Sequence, residues 1–569
     1  MTEPAYGIII NESYAGPLPV QSGDFSVIGL LLPADDADAA TFPLNTPVQF
    51  NSSDSTYLGK AGTGDFAKAL TAINNQLAAW QSAASVVAVL VARGVDRPTT
   101  IANLVGSSVA LTGLYAFLKA GALTMTIPRL IGSPGYTGDV GLGVTAPTVS
   151  AAGIGFTAAP AVAFSPAGAT AHAVLAVANG IDDPVVTAGG SDYTHAAVVF
   201  TPAGATAHAV LTAGAVSSVI MDLPGAYEEG VMPTAAITGD GAGATMSFSL
   251  FQNSSVGSIV MDSPGAYGAG VDVTATISGG GGSGATMGFT MAPVSNPLCA
   301  ALPAVLKSLL AKAIVGSSGD GVVADTFTWR QTLSSDRLDP ADAWVIPGSG
   351  VGYTDGVAEA LGAQVAVDFQ HAGIPGWSIS GQQINGIGGL KTYYSFSLTD
   401  GAMQGQELLA QQVSVIEPGA IGSDTAIASS GYVWAGVWNA STDPRAWFSN
   451  KRRMKDYVNL ALVKAIRLRL GVDNVTPHAV QAVLNDMVVL GSWLLSKQIS
   501  IGFKVSFVPS QNSPSQLQQG QFVVSFANEV PAPITQVTVN SSDDPDALTV
   551  ELATIIAQAN TIAPQYLTS

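Results

Sequence analysis

Residues 445 to 469 hold Arg445, Lys451, Arg452, Arg453, Lys455, Lys464, Arg467 and Arg469, eight of the 21 basic side chains in a 569-residue chain of net charge −19. A basic segment in an acidic protein calls for an acidic partner, so its chemistry is docking. On a wheel of 100° per residue, Met454, Val458, Ala461, Ala465 and Leu468 share one arc, and Arg453, Lys464 and Arg467 lie near the opposite side. One face is expected in a core, the other at an interface.

Bond-making chemistry finds no such concentration. The five histidines (His172, His195, His208, His371, His478) and the single Cys299 are scattered, and no Cys/His zinc spacing can be drawn from them. Gly59-Lys60 is followed by Ala61, and the glycine run from Gly279 to Gly284 lacks a lysine and a following helix pattern, so neither forms a phosphate loop. There is no Gly-x-Ser-x-Gly elbow. His371, beside Gly373 to Trp377, could be drawn as a general base, but nothing fixes a nucleophile or second acid near it. No catalytic residue, metal ligand or cofactor is expected. A pI near 4.4 sets the field of the whole chain against a phosphate backbone, which argues against direct nucleic-acid binding.

The elements that must position the basic segment belong to a chain long enough for about three or four domains. Charged residues are only 11% and mean hydropathy is +0.36, which suits a protein buried by copies of itself. The longest apolar runs, Val27 to Leu32 and Ser85 to Ala92, fall short of the roughly 18 to 20 residues that span a bilayer, so no membrane insertion is expected. The first basic residue is Lys60, so a charged signal n-region is missing and cytoplasmic assembly is expected. Cys299 reads as a small buried hydrophobe.

Residues 1 to 24 read as an extended acidic arm. The spacing of Phe66, Leu70, Ile73, Leu77 and Trp80 predicts a helix, followed by strand Val86 to Val91, a second helix around Leu111 to Ala120, strand Leu123 to Ile131 and, after an interruption, helix Pro297 to Ile314. The interruption is the anomaly: residues 130 to 306 contain no Lys or Arg and ten acidic side chains. Gly-Ala-Thr recurs at Gly168, Gly204, Gly243 and Gly284, and Ile220 to Gly225 nearly repeats as Val260 to Gly265. Four units of this kind, each too small to bury a face alone, are predicted to stack as one inserted β domain. Toward the C-terminus, Gln406 to Ile416 reads as helix then strand, Thr476-Pro477 caps a helix to about Lys497, and Phe503 to Phe507 pairs with Phe522 to Phe526. Ile534 to Val539, after Pro531-Ala532-Pro533, reads as a strand held away from its own sheet, and Leu548 to Ala559 as a short helix.

Trp447-Phe448-Ser449-Asn450-Lys451-Arg452-Arg453-Met454-Lys455-Asp456-Tyr457 resembles a segment of the contractile-tail sheath proteins of bacteriophages. The resemblance is carried in order by Ser334 to Arg337, His371 to Ser378, Ile384 to Gly389, Phe396 to Asp400, Asp424 to Ser429 and Gly502 to Phe507. It covers about 296 to 540 well, 1 to 135 loosely, and not 136 to 292. It implies a mixed α/β (α+β), multidomain sheath core with an inserted all-β repeat domain. The expected parts are an arm (1–24), a discontinuous middle domain (25–135 plus 293–394), the acidic β-repeat insertion (136–292), an inner C-terminal domain (395–530) and a C-terminal arm with extension (531–569). It further implies stacked six-membered rings around a tail tube, contraction that drives the tube through the host envelope, and a place in the virion. Implied partners are neighbouring sheath subunits, the tail tube protein, and baseplate and tail terminator proteins. Lys451, Arg452, Arg453, Lys455, Lys464 and Arg467 are the expected tube contacts. Ile8, Ile9, Ile10, Ile534, Val537 and Val539 are expected in exchanged strands, which satisfy their backbone groups in a neighbour's sheet. The sheath of a headless contractile particle or secretion apparatus is the near alternative, and a surface adhesin with a repeat binding module the distant one.

Overall fold

The computed structural model describes residues 23–268, 271–420 and 422–562. Ile8, Ile9 and Ile10 therefore lie outside the described residues. The chain divides into two compact units, one through Pro531 and one from Ala532.

The first unit is built on an eight-stranded sheet. Its strands are β1 (Ile28–Pro33), β2 (Val48–Asn51), β3 (Ser85–Val91), β4 (Leu130–Gly132), β5 (Lys312–Gly316), β6 (Leu338–Asp342), β7 (Ser414–Pro418) and β8 (Tyr432–Ala435), in the order β2-β3-β1-β4-β5-β6-β7-β8. The interior pairings are parallel; only edge strands β2 and β8 run antiparallel. The sequence accounts for this: Ile-Gly-Leu-Leu-Leu-Pro and Ser-Val-Val-Ala-Val-Leu-Val are unbroken apolar runs, as strands covered on both faces require. Helix Asp65–Leu77 buries Phe66, Ala69, Leu70, Ile73 and Leu77 as one stripe. Helix Arg97–Val105 begins where the Asp96 carboxylate accepts from the Thr99 amide at 2.8 Å, and Pro297–Leu309 where Asn296 does the same for Leu298. Helix Val357–Gln370 is buried from Val357 to Asp368, so it runs through the core.

Several sequence expectations change here; the helix expected to reach Ile314 ends at Leu309, and Ile314 lies in β5. Of the expected strand Leu123 to Ile131 only Leu130 and Ile131 are in a strand, Leu130–Gly132, because Ala120–Thr124 continues the turn of 3₁₀ helix Gly113–Lys119. The repeat region is two copies, one nested inside the other. In the first copy, strands Gly141–Ile154 and Ser283–Val294 form an antiparallel ribbon packed on a sheet of order 255–263, 170–176, 161–165, 274–278. The second has ribbon Ala178–Ser191 with Ala242–Gln252 and sheet order 215–223, 206–212, 196–201, 234–239. It sits in the connection between the first copy's paired strands Thr170–Ala176 and Ser255–Ser263. Equivalent details recur: the Ala169 amide donates to the Tyr267 hydroxyl at 2.6 Å and Ala205 to Tyr227 at 2.8 Å, while Phe164–Phe289 and Phe200–Phe248 meet edge-on at 6.0 Å. His172 and His208, the same position in both, sit 2.8 Å from Asp262 and Asp222. Each Gly-Ala-Thr unit supplies strands for half a sandwich, so two units must combine before an apolar face is covered.

Candidate functional site

Helix Ser449–Ile466 carries the basic segment. Met454, Tyr457, Val458 and Ala461 enter a core with Phe25, Ile374, Leu490, Leu494, Ile499 and Val530, which locks the helix against its neighbour Pro477–Ser496. That neighbour, opened by Thr476 accepting from the Ala479 amide at 3.2 Å, is long and apolar enough by composition to cross a membrane. Its packing places it in a protein core: one face is buried, and Asp486 within it pairs with Arg469 at 2.9 Å.

Along the first two turns Lys451, Arg452 and Arg453 are engaged by carboxylates, while Lys455 is exposed. Arg453 is 2% exposed; it donates to both oxygens of the fully buried Asp368, at 2.9 and 2.5 Å, and to the Phe25 carbonyl at 3.1 Å. Asp368 also accepts from Ser26 and Gln364. Arg337 forks onto Asp456 at 2.6 and 2.9 Å, and Arg452 bridges Asp456 and Asp336 at 2.5 and 3.1 Å. Buried Lys312 reaches Asp339 and Ser449, whose hydroxyl also donates to Asp339 at 2.6 Å; burial pushes the Lys312 ammonium down and the Asp339 charge opposes it. Lys451 meets Glu529 at 2.7 Å.

This corrects the sequence expectation for Arg453, which was placed on the outward face. Its guanidinium meets a carboxylate brought by the core helix 357–370, and a wheel drawn from one helix cannot show that. Leu468, placed on the buried arc, is exposed, and Ala465 is half-buried. The outward cations of this helix and its C-cap are Lys455 and Arg467, with Lys464 half-buried between the outer face and Arg129. Burial, then the nearby charges of Arg467 and Arg129, push the Lys464 ammonium down. Exposed Val463, Leu468, Leu470 and Val472 flank them.

Sequence motifs far apart in the chain meet at this helix. Asp336 and Arg337 come from one, Trp447 to Tyr457 from another, and from a third His371 stacks on Trp377 at 3.7 Å, while the Gly376 carbonyl accepts from Asn450 at 3.1 Å. The acidic partners Asp339, Asp368 and Asp456 leave no local mark of a network in the sequence; the ordered recurrence of those motifs is the signal that gathers them. Ile534, Val537 and Val539 are exposed and belong to no strand. Among the described residues no group of three or more His, Cys, Asp or Glu is placed to hold a metal.

No family model matches the chain. It is 39% identical over 136 residues to the major tail sheath protein of Serratia phage KSP20, a match covering 23% of this chain and 34% of that protein. It is 33% identical over 143 residues to the tail sheath protein of Escherichia phage P2, covering 24% and 35%. The chain thus spans about a third of the length of the curated relatives it matches. Among solved structures, the sheath complex of an extracellular contractile injection system in its contracted state aligns over 96% of this chain and 100% of that one, with a TM-score of 0.50 at 10% identity. The chain is similar in sequence to phage tail sheath proteins over that segment, and along nearly its whole length it has the mixed α/β fold of a contractile sheath subunit.

Proposed function

We propose that this chain is the structural subunit of a contractile tail sheath, stacking as six-membered rings around a tail tube and shortening to drive the tube through a host envelope. The observation that carries the reading is the pairing of segmental identity to two phage tail sheath proteins with a sheath fold over nearly the full length. In this reading the chain is a virion component assembled in the host cytoplasm, with neighbouring copies, the tube protein, and baseplate and terminator proteins as partners. Lys455 and Arg467 face the tube, with half-buried Lys464 behind them; Lys451, Arg452 and Arg453 serve the fold. Ile534 to Val539, exposed on a Pro-rich linker, is donated to a neighbour's sheet.

The nested β copies decorate the outside. Gly141 and Val294 are register partners, so the insertion leaves and re-enters the core at one point. Its lack of Lys and Arg gives neighbouring copies a shared negative field that disfavours packing between them. The test is co-assembly of the full chain with its tube, wild type against Lys455→Glu/Arg467→Glu. Loss of sheath on tubes with an unchanged monomer supports the docking face; normal sheath assembly moves it elsewhere.

A further inference from the structure

Glu359 stands in the first turn of helix Val357–Gln370 and is carried into the core with it. It is 4% exposed, and its Oε2 has no hydrogen-bond partner in the protein. The side chain lines a cavity of 180 Å³ that adjoins a wider cleft of 580 Å³, bounded by helix Asp65–Leu77 and the loop Gly348 to Gly352. Gly350 and Gly352 in that loop hold φ of 73° and 75°, a left-handed backbone that glycine adopts freely.

The cavity lies beyond the carboxyl ends of the parallel strands. From β1 the chain passes through edge strand β2 to β3 on one side, then crosses to β4 and on to β5 on the other, and ligands of open α/β sheets lodge at such a reversal.

Every other charge around Glu359 is already engaged. Arg93 pairs with Asp35 and Asp65, and Arg97 with Asp139. Asp355 accepts from the amides of Gly135 and Val357, and the Tyr136 hydroxyl donates to Asp65. Lys68, on the rim, is 3.8 Å from Asp65. The walls are Ala69, Ala72, Ala358, Trp344 and Tyr353. The two aromatic rings already attract a cation from their other neighbour, Lys391, whose Nζ lies 4.8 Å and 5.6 Å from their centres.

We propose that this cleft binds an alkylammonium or alkylguanidinium group, its head paired with Glu359 Oε2 and its aliphatic stem laid along the alanine and aromatic walls. The source is a free amine or a Lys or Arg side chain of a second copy of this chain. Burial holds the empty Glu359 carboxyl up at about 8, with the Asp355 charge adding to it, so an arriving cation displaces a proton.

The experiment is titration calorimetry of the full chain with n-butylammonium and n-butylguanidinium at pH 7, in two buffers of different ionisation enthalpy. Saturable binding to one site with release of close to one proton is expected, weakened about tenfold or more in Glu359→Gln. Glutamine copies the neutral carboxyl, so that variant keeps the fold. Lys68→Met should bind as well as the wild type. Absence of saturable binding, equal binding by Glu359→Gln, or a Lys68→Met variant that alone creates the site would overturn the proposal, the last by showing that Lys68 fills it. Polymers that refuse the probe identify a neighbour's side chain as the occupant, and polymers that still take it up identify a free amine. The binding result itself does not depend on the sheath reading.

Discussion

Two kinds of arginine and lysine share one helix, and the distinction decides what substitution does. Removing Arg453 leaves Asp368 charged and buried without its partner, so Arg453→Met is expected to cost about 3 to 5 kcal/mol, read as a lowered denaturation midpoint. Lys455→Glu and Arg467→Glu touch the outer face and should leave stability within about 0.5 kcal/mol while weakening assembly. Equal destabilisation by both sets would refute the division. A second residue-scale prediction comes from the acids of the core. Burial raises Asp355 to about 7 and Glu359 to about 8. The folded chain therefore holds protons that the unfolded chain has lost, and the stability they bring is present at low pH and lost as pH rises toward 8. The expected slope is about 1.4 kcal/mol per pH unit for each group between its unfolded and folded pKa. Urea unfolding at pH 5 to 8 should show that decline, flattened in Glu359→Gln. A pH-independent midpoint would contradict the assignment.

Elements were legible where local chemistry decides them and illegible where distant segments meet. The apolar runs of β1 and β3 and the Thr476-Pro477 cap announce their elements directly, because burial on two faces and a capped first turn leave local marks. The inward turn of Arg453 leaves none, since its partner Asp368 is 85 residues away in sequence. The repeat region shows both outcomes. Its Gly-Ala-Thr markers and the equivalence of His172 and His208 are written in the sequence, but nesting is not, because both copies use the same strand signals and only pairing tells which strands belong together. Anchorage at Gly141 and Val294 makes a deletion prediction. Replacing residues 141–294 with a short Gly/Ser linker should leave the rest of the unit folded, with its melting transition intact. Collapse of that transition would mean that the insertion is part of the core.

At the scale of the whole molecule, an acidic chain with few charges and a concentrated basic face is suited to burial among copies of itself. The second unit bears on this directly: Ile534, Val537 and Val539 are exposed, and helix Pro545–Ile562 presents Leu548, Leu552 and Ile555 to solvent. Truncation after residue 531 should give a folded chain that no longer polymerises, and hydrogen exchange of 534–539 should become protected only on assembly. Protection in the isolated chain would exclude strand donation. The central claim is polymerisation as a sheath, and electron microscopy of the purified full-length chain tests it most directly. Tubes built of stacked six-fold rings are the expected result; a preparation that remains dispersed, forming no ordered polymer with or without its tube, would contradict sheath polymerisation.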